Sequence, residues 1–285
     1  MWIWIVLVLG VLLLAAFLYW AFVITEGAYL GARTVAWTYD LAASRYDGIK
    51  QFNRREDVWF LIQPMLVAMD QVDCPLILDV ATGTGRVPDA LLYNPTFRGT
   101  VIAQDLSRKM LLEADKKLAP YEGRYSLIQR DAQQLPYPDE SFDAVCCLEA
   151  LEFMPSPQRV LDEMARVLRP GGILLITNRV NWEGKLMPGK AFSRDELLRM
   201  LAATGIRQVE FRPWQVYYDL IWARKAGIPS RLGRSTTLLE EILLCPHDGS
   251  PLHFAPDHVH CPQCRRQYPI RDSIYELERG HPTSS

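Results

Sequence analysis

The chain has 285 residues, of which 49% are hydrophobic and 22% charged, and its formal net charge is −2 at pH 7. That length leaves room for a membrane-spanning segment, one domain of about 190 residues and a small module. The balanced charge gives no reason to expect a nucleic-acid-binding surface. The six cysteines include a Cys146-Cys147 pair inside an expected buried strand, so they indicate a reducing compartment and no disulfide framework.

The first 25 residues carry no charged side chain. Their apolar run is long enough to cross about 30 Å of hydrocarbon as a helix, with Trp2 and Trp4 at one end and Tyr19 and Trp20 at the other, as in interfacial aromatic belts. A cleaved signal peptide, the alternative, would have a basic start, a shorter apolar stretch and a small-residue cleavage site. Residues 1–25 are therefore predicted to form a transmembrane helix. Basic residues follow this segment and none precedes it, which favours a cytoplasmic location for the rest of the chain.

Residues 26–70 are expected to form a helical lid or connector of one or two helices, with Pro64 bending or starting the second. After it, a short apolar strand ends on Asp79 and opens into a loop with Gly83 and Gly85. Glycines allow backbone N–H groups to approach a ligand closely, so the loop favours a nucleotide-type cofactor over a plain tight turn. A dinucleotide loop would have a third glycine where this chain has Pro88, which offers no N–H to a pyrophosphate. S-adenosylmethionine has no phosphate and fits better.

A second apolar run, residues 100–105, ends on Asp105, about 20 residues beyond Gly85, where an acidic side chain can accept hydrogen bonds from ribose hydroxyls. Further apolar runs alternate with helical segments along the chain. This order predicts an α/β fold with a mostly parallel sheet, helices on both faces and a ligand at the carboxyl ends of the strands. The predicted strands lie near residues 76–80, 100–104, 125–129, 142–147, 172–177, 206–212 and 215–223.

Five segments in this order resemble the class I S-adenosylmethionine-dependent methyltransferases. They are DVATGTG (79–85), DLSRKML (105–111), RDAQQLPYPDESFDAV (130–145), LEALEFM (148–154) and RVLRPGG (166–172). The resemblance covers residues 35–225 and implies a Rossmann-like seven-stranded methyltransferase sheet whose final strand is antiparallel. It departs from the family at Ala81, where the first loop glycine is usual, and at Glu152-Phe153, where many relatives have a histidine after the glutamate.

The resemblance also implies which residues bind S-adenosylmethionine. Asp79 and the backbone around the glycine loop would hold the methionine moiety, Asp105 the ribose, and Asp131 with Ala132 the adenine amine. Leu106 would pack near the adenine, and Glu149 would line the methyl-transfer pocket. The predicted cofactor-binding residues are Asp79, Ala81, Gly83, Gly85, Asp105, Leu106, Asp131, Ala132 and Glu149.

Methyl transfer from a sulfonium is an in-line displacement, so alignment and exclusion of water supply most of the acceleration. A base is needed only where the acceptor must lose a proton. The catalytic residues are therefore unknown, with Glu149, Glu152 and Tyr46 as candidates from their position. A purely structural role is the alternative for each of them.

The end of the chain is predicted to form a separate small module. Residues 227–237 are rich in Gly, Pro and Ser and predict a linker. Beyond it, CPQC (261–264) offers two thiols that can grip one metal, and CPHD (245–248) stands where a second such pair belongs. With Pro251-Leu252 and YPIRDSI (268–274), this tail resembles the short zinc-ribbon family of methyltransferase partner proteins. The predicted structural zinc ligands are Cys245, Asp248, Cys261 and Cys264, with His247 as the alternative to Asp248.

The tail alternatively is a β-module held by packing alone. Because about 40 residues bury too little core, it is expected to dock on the methyltransferase domain or on another protein. The predicted organisation is a transmembrane helix (1–25), a lid or connector (26–70), the methyltransferase domain (71–226), a linker (227–237), a zinc-ribbon-like module (238–279) and a disordered tail (280–285).

Two classes of function remain open. The first is a membrane-anchored methyltransferase, with its catalytic domain in the cytoplasm, that acts on a lipophilic or membrane-presented small molecule. The second is a membrane-tethered scaffold with a methyltransferase-like fold, whose ribbon module recruits a protein or RNA. The nearly complete cofactor loop favours the first.

Overall fold

The protein is described by a computed structural model of residues 2–228 and 239–282. Residues 229–238, which hold most of the predicted linker, and residues 283–285 of the predicted disordered tail lie outside the described residues. The helices are α1 (Trp2–Tyr19), α2 (Ala32–Ala42), α3 (Tyr46–Lys50), α4 (Arg54–Asp57), α5 (Gln63–Ala68), α6 (Arg86–Tyr93), α7 (Arg108–Leu118), α8 (Pro157–Val167), α9 (Arg194–Ala203) and α10 (Leu239–Ile242). The strands are β1 (Leu76–Val80), β2 (Thr100–Asp105), β3 (Tyr125–Gln129), β4 (Phe142–Cys147), β5 (Leu168–Arg179), β6 (Ile206–Trp214), β7 (Tyr218–Lys225), β8 (His253–Phe254), β9 (His258–His260), β10 (Arg266–Arg271), β11 (Ile274–Glu276) and β12 (His281–Pro282).

The centre of the molecule is a mixed sheet with strand order β6-β7-β5-β4-β1-β2-β3. Strands β1 to β5 are parallel, and β7 runs antiparallel to both β5 and β6. Every residue of β1 and β4 is buried, as in strands covered on both faces. Apolar side chains pack on both sides of the sheet, with Leu78 and Val80 in one core and Ile77 in the other. The predicted α/β fold, with its antiparallel last strand, is present.

The sheet is wider than the expected seven strands because the tail extends it. Strand β11 lies parallel to β3, with Ile274 opposite Leu127 and Glu276 opposite Gln129. Strands β10, β9 and β8 follow, and β12 pairs with β10, which gives a sheet of 12 strands. The carboxylate of Glu276 at the end of β11 accepts a hydrogen bond from Arg108 Nε at 2.6 Å.

Most predicted strand positions agree with the structure, and the differences lie at the end of the domain. Strand β5 begins at Leu168, four residues earlier than the apolar run, because Leu168 pairs with Phe142 across an irregularity in the register. Strand β7 begins at Tyr218, not at residue 215, because residues 215–217 form the turn after β6. Gln215 has a left-handed backbone conformation there, with φ of 51°.

The segment between the apolar helix and the sheet contains more helix than the one or two predicted. Helices α2 and α3 are followed by a continuous helical run over residues 54–68, in which residues 58–62 form a wider π-helical turn. Pro64 lies in the first turn of α5, which directly follows the π-helical turn. Proline has no N–H to donate to the preceding turn, so a change of helical pitch at this point is expected.

Of the described residues, one helix, Trp2–Ile24, is long and apolar enough to cross a membrane. Its α1 part is exposed along its whole length. The last turn differs, because Ala21 and Ile24 are buried while Phe22 and Val23 remain exposed. The end of the apolar helix is therefore attached along one side to the rest of the protein.

Candidate cofactor site

The loop that follows β1 brings the two predicted strand-end carboxylates together. Thr82 Oγ1 donates a hydrogen bond to Asp79 Oδ2 at 2.6 Å, and the Gly83 N–H donates to Asp105 Oδ2 at 2.8 Å. Ala81 and Gly83 both have left-handed backbones, with φ of 54° and 56°. Ala81 therefore adopts the conformation that glycine takes without steric cost. The loop folds over the strand ends as the sequence predicts.

Burial and the charge of a neighbouring acidic group raise the pKa of both carboxyl groups, Asp105 acting on Asp79 and Asp40 on Asp105. Burial raises the pKa of Asp79 to about 7, the nearby charge of Asp105 adds to this, and the Thr82 hydrogen bond opposes it. Burial also raises the pKa of Asp105 to about 6, against hydrogen bonds from the backbone of Ser107 and Gly83. A cationic or hydroxyl-bearing ligand between them would stabilise the ionised forms.

A cleft that is open to solvent lies beside this loop. A smaller cleft adjoins it and shares Tyr46, Ala81, Gly83 and Glu149. Clefts that combine apolar walls with a few polar groups are typical of small-molecule sites. Eight of the nine predicted cofactor-binding residues line one cleft or the other: Asp79, Ala81, Gly83, Asp105, Leu106, Asp131, Ala132 and Glu149. The space and the polar groups present fit an adenosyl cofactor.

Gly85 does not line either cleft. It precedes α6 with φ of 78°, and a Cβ atom there would lie 3.1 Å from the Cβ of Ala114 on α7. Glycine at this position allows α6 and α7 to approach each other. Its predicted part in holding the methionine moiety stays a prediction.

Glu149 stands in a charged network that sequence reasoning missed. Its carboxylate accepts hydrogen bonds from Arg86 at 2.8 Å and from Lys50 at 3.0 Å. Arg86 also binds both carboxylate oxygens of Asp57, at 2.9 and 2.7 Å, and its guanidinium lies 4.2 Å from the ring centroid of Phe52. The one sequence signal was a basic residue directly after the glycine loop. Two cationic side chains therefore hold the Glu149 carboxylate in place.

The other two catalytic candidates have different surroundings. Tyr46 lines both clefts, and burial with the nearby charge of Glu149 raises the pKa of its hydroxyl well above the usual range. Glu152 is buried, accepts a hydrogen bond from the Tyr218 hydroxyl at 2.9 Å and does not line the clefts. Burial raises the pKa of Glu152 to about 7. At neutral pH, Tyr46 is protonated, and Glu152 is not part of the lining of either cleft.

The tail holds a second candidate site. The ligand atoms of Cys245, Asp248, Cys261 and Cys264 all lie within 4.8 Å of one another. The Sγ atoms of Cys245 and Cys264 are 3.6 Å apart, and Cys261 Sγ lies 3.3 Å from Asp248 Oδ2. A tetrahedral zinc ion with Zn–S distances of about 2.3 Å separates its ligands by ~3.8 Å, so the group fits such an ion. The group includes Asp248 and leaves out His247.

Comparison with known proteins agrees with the geometry of the cleft. The family described as "Methyltransferase domain" matches residues 78–176. This part of the chain is a methyltransferase domain. The matched residues run from β1 through β5, and they contain the glycine loop and both strand-end carboxylates.

Two curated relatives of the methyltransferase domain act on lipid-related molecules by name. The ubiquinone/menaquinone biosynthesis C-methyltransferase of Syntrophotalea carbinolica is 39% identical over 127 residues, which are 44% of this chain and 53% of that protein. The phosphatidylethanolamine N-methyltransferase of Cereibacter sphaeroides is 40% identical over 105 residues, 36% of this chain and 49% of that protein. The chain spans about half the length of the curated relatives it matches.

Among solved structures, the [4+2]-cyclase SpnF is similar to the methyltransferase domain. It is 19% identical with a TM-score of 0.55, and the match covers 69% of this chain and 96% of SpnF. This likeness concerns the fold alone. Because SpnF is named as a cyclase, the fold by itself does not determine the reaction.

Proposed function

We propose that this protein is a membrane-anchored S-adenosylmethionine-dependent methyltransferase that acts on a lipophilic or membrane-presented small molecule, with its catalytic domain in the cytoplasm. The observation that carries the proposal is the pair of strand-end carboxylates beside two adjoining clefts, with Asp105 lining the larger cleft and Asp79 the smaller one. The larger cleft is also lined by Ala32, Val35 and Ala36 of α2, shortly after the apolar helix.

Each part of the cofactor has a matching group in the cleft. The Asp79 carboxylate suits the ammonium of the methionine moiety, and the Asp105 carboxylate suits two ribose hydroxyls. Asp131 and Ala132, further along the same cleft, suit the adenine. When bound, S-adenosylmethionine supplies an electrophilic methyl group on a sulfonium. The protein's part is to align the acceptor with that group and to exclude water.

The acceptor end of the cleft is apolar. Val35, Phe153 and Met154 line it beside the aromatic ring of Tyr46. This lining supports an apolar acceptor, and the names of the two curated relatives point the same way. Tyr46 stays protonated and Glu149 is paired with Arg86, so neither is suited to remove a proton. The proposed reaction therefore relies on positioning, and any proton is lost to water after transfer.

The tail is proposed to be an integral part of this enzyme, docked on its own methyltransferase domain. Strand β11 hydrogen-bonds to β3, and Glu278 accepts hydrogen bonds from the Asp131 N–H at 3.0 Å and from Arg130 at 3.1 Å. Structural zinc held by Cys245, Asp248, Cys261 and Cys264 would tie the module together. Its contact with Asp131 brings the tail to the adenine side of the cleft.

Calorimetric titration of the full chain with S-adenosylmethionine tests the cofactor site. Asp105→Ala removes an acceptor of charge-assisted hydrogen bonds, so we expect affinity to fall by about tenfold or more. Asp70→Ala is the matched control, since Asp70 is exposed and lines neither cleft. Unchanged binding by Asp105→Ala, or no binding by the native chain, contradicts the assignment.

Methyl transfer is tested by incubating the full chain with native membrane extract and S-adenosylmethionine labelled in its methyl group. We expect label in the lipid phase, and about tenfold less of it with the Asp105→Ala variant when the cofactor is below saturation. Label in protein alone contradicts the proposed substrate class. Cofactor binding without any transfer supports the scaffold alternative.

Elemental analysis of the purified full chain tests the metal. We expect stoichiometric zinc, lost in Cys261→Ser and retained in Cys74→Ser, whose thiol lies outside the cluster. A native chain without zinc shows that the module folds by packing alone.

A further inference from the structure

We propose that the protein has a second membrane-contacting surface beside the apolar helix. This interfacial patch consists of residues 180–186, which follow β5, and residues 215–217, the turn between β6 and β7. It rests on the membrane anchoring proposed above, and its occupant is the headgroup and upper acyl region of the bilayer.

The end of the apolar helix sets the level of the membrane surface. From Trp2 to Trp20 the helix is about 28 Å long, close to the ~30 Å thickness of the hydrocarbon core. One turn further, Phe22 is 41% exposed and Val23 is 56% exposed. Keeping these two side chains out of water requires the bilayer to extend to the last helical turn. The protein surface attached to that turn must then lie in the interfacial layer.

Direct contacts identify which surface is attached there. Trp20 Nε1 donates a hydrogen bond to the Leu186 carbonyl at 3.0 Å, and the Tyr29 hydroxyl donates to the Pro188 carbonyl at 2.8 Å. The rings of Trp20 and Tyr29 stack, with centroids 5.2 Å apart. Trp20 sits at the end of the apolar stretch, so Leu186 is fixed at the same depth as the interfacial tryptophan.

The interfacial patch has the composition that such a layer favours. Five of its side chains are exposed and apolar or aromatic: Val180, Trp182, Leu186, Val216 and Tyr217, with Trp182 at 63%, Val216 at 84% and Tyr217 at 52% exposure. The acidic Glu183 in the same segment is paired with Arg179. The two segments are joined by the Val180 N–H, which donates to the Tyr217 carbonyl at 2.8 Å. Lys185, also exposed, adds a positive charge. Aromatic rings and a basic side chain suit the headgroup region, whereas the exposed apolar surface beside them is unfavourable in water.

The interfacial patch lies next to the acceptor end of the cleft. Lys190, four residues after Leu186, donates to the Pro155 carbonyl at 2.9 Å, and Pro155 lines the cleft together with Met154. Met187 packs with Phe153, which lines the same end. Contact of the patch with lipid would hold this end of the cleft at the membrane surface, so an apolar acceptor reaches it without crossing water.

Photo-crosslinking of the full chain in vesicles of phosphatidylcholine and phosphatidylglycerol tests the proposal. Benzoylphenylalanine is placed at Val216 or Tyr217, and lipid adducts are measured by mass spectrometry. The matched controls are Val67, 72% exposed, and Tyr93, 56% exposed. Val67 lies in α5 and Tyr93 ends α6, and neither lines the clefts or belongs to the interfacial patch. We expect several-fold more lipid adduct at Val216 and Tyr217 than at the controls.

Flotation of the same vesicles separates the two proposals. A chain that floats but crosslinks equally at Val216 and Val67 overturns the interfacial patch and leaves the anchor in place. A chain that stays in the soluble fraction overturns the anchor, and the patch with it. Cofactor affinity equal to that of the native chain verifies that each labelled protein is folded.

Discussion

The two walls of the cofactor cleft are built by different means. The strand-edge wall carries Asp79 and Asp105, held by backbone and loop hydrogen bonds. The helical wall, residues 32–57, is joined to it by side chains. Ser107 donates to Asp40 at 2.5 Å, Lys117 pairs with Asp47 at 2.6 Å, and Arg86 pairs with Asp57. One wall is fixed by the sheet, and the other depends on polar joints made by acidic residues of the helical wall.

The largest effect on stability is expected from breaking the buried ion pair of Arg86 with Asp57. Arg86→Gln leaves the carboxylates of Asp57 and Glu149, 3% and 6% exposed, without their shared cation. Loss of one partner of a buried pair typically costs about 3–5 kcal/mol, so we expect a marked fall in the free energy of unfolding. Denaturant titration measures it. Arg212→Ala is the control, since its pair with Glu210 is exposed and such pairs contribute about 0–1 kcal/mol. Equal effects of the two substitutions would mean that the network does not hold the walls together.

The affinity for the cofactor should depend on pH because of the two carboxylates of the strand-edge wall. Asp79 and Asp105 must be ionised to bind the cofactor, and their pKa values are raised to about 7 and about 6. Cofactor affinity should therefore rise as pH increases from about 5.5 to 8. The stability of the free protein should change in the opposite sense. Between the ordinary value of 3.8 and these raised values, the native state binds more protons than the unfolded state, so stability falls as pH rises.

Calorimetry and denaturant titration over that pH range measure the two trends. Asp79→Asn should flatten the upper part of the affinity profile, because it removes the group with the higher pKa. Affinity that is independent of pH in the native chain would show that neither carboxylate takes part in cofactor binding.

A smaller effect on stability is expected from breaking the exposed ion pair of Asp47 with Lys117. The Asp47 side chain is 46% exposed, so its pair with Lys117 is screened by solvent. Lys117→Met should change stability by about 1 kcal/mol or less. Hydrogen exchange of residues 44–50 should nevertheless become faster, because the helical wall loses one of its attachments. The control is Lys109→Met, which changes an exposed lysine of the same helix. If exchange in residues 44–50 is the same in Lys117→Met as in the control, the pair of Lys117 with Asp47 does not attach the helical wall.

The smallest effect is expected from Tyr46→Phe. The Tyr46 hydroxyl stays protonated at neutral pH because its pKa is raised, so it does not act as a base. Turnover in the labelled methyl-transfer assay should change by less than about threefold, whereas removal of an acid or base costs 10²-fold or more. A loss of that larger size would make Tyr46 a catalytic residue.

The sequence predicted the strand-edge wall better than the helical wall. Strands β1, β3 and β4 are short apolar runs with clear ends, and their parallel order brings Asp79 and Asp105 to one edge. The helical wall could not be placed, because its position depends on contacts between residues far apart in the chain. The joint of Arg86 with Asp57 and the contact of Trp20 with Leu186 are examples. The contact between Glu278 and Asp131 was missed for the same reason.

Strand β11 has a consequence for the solubility of the protein. It occupies the outer side of β3, whose Leu127 and Ile128 are fully buried. Without β11, that side would present a row of unpaired backbone amides and carbonyls next to apolar side chains, which is a template for uncontrolled pairing between molecules. The tail therefore also protects the protein from aggregation. Chains that lack β11 should precipitate before they lose their secondary structure.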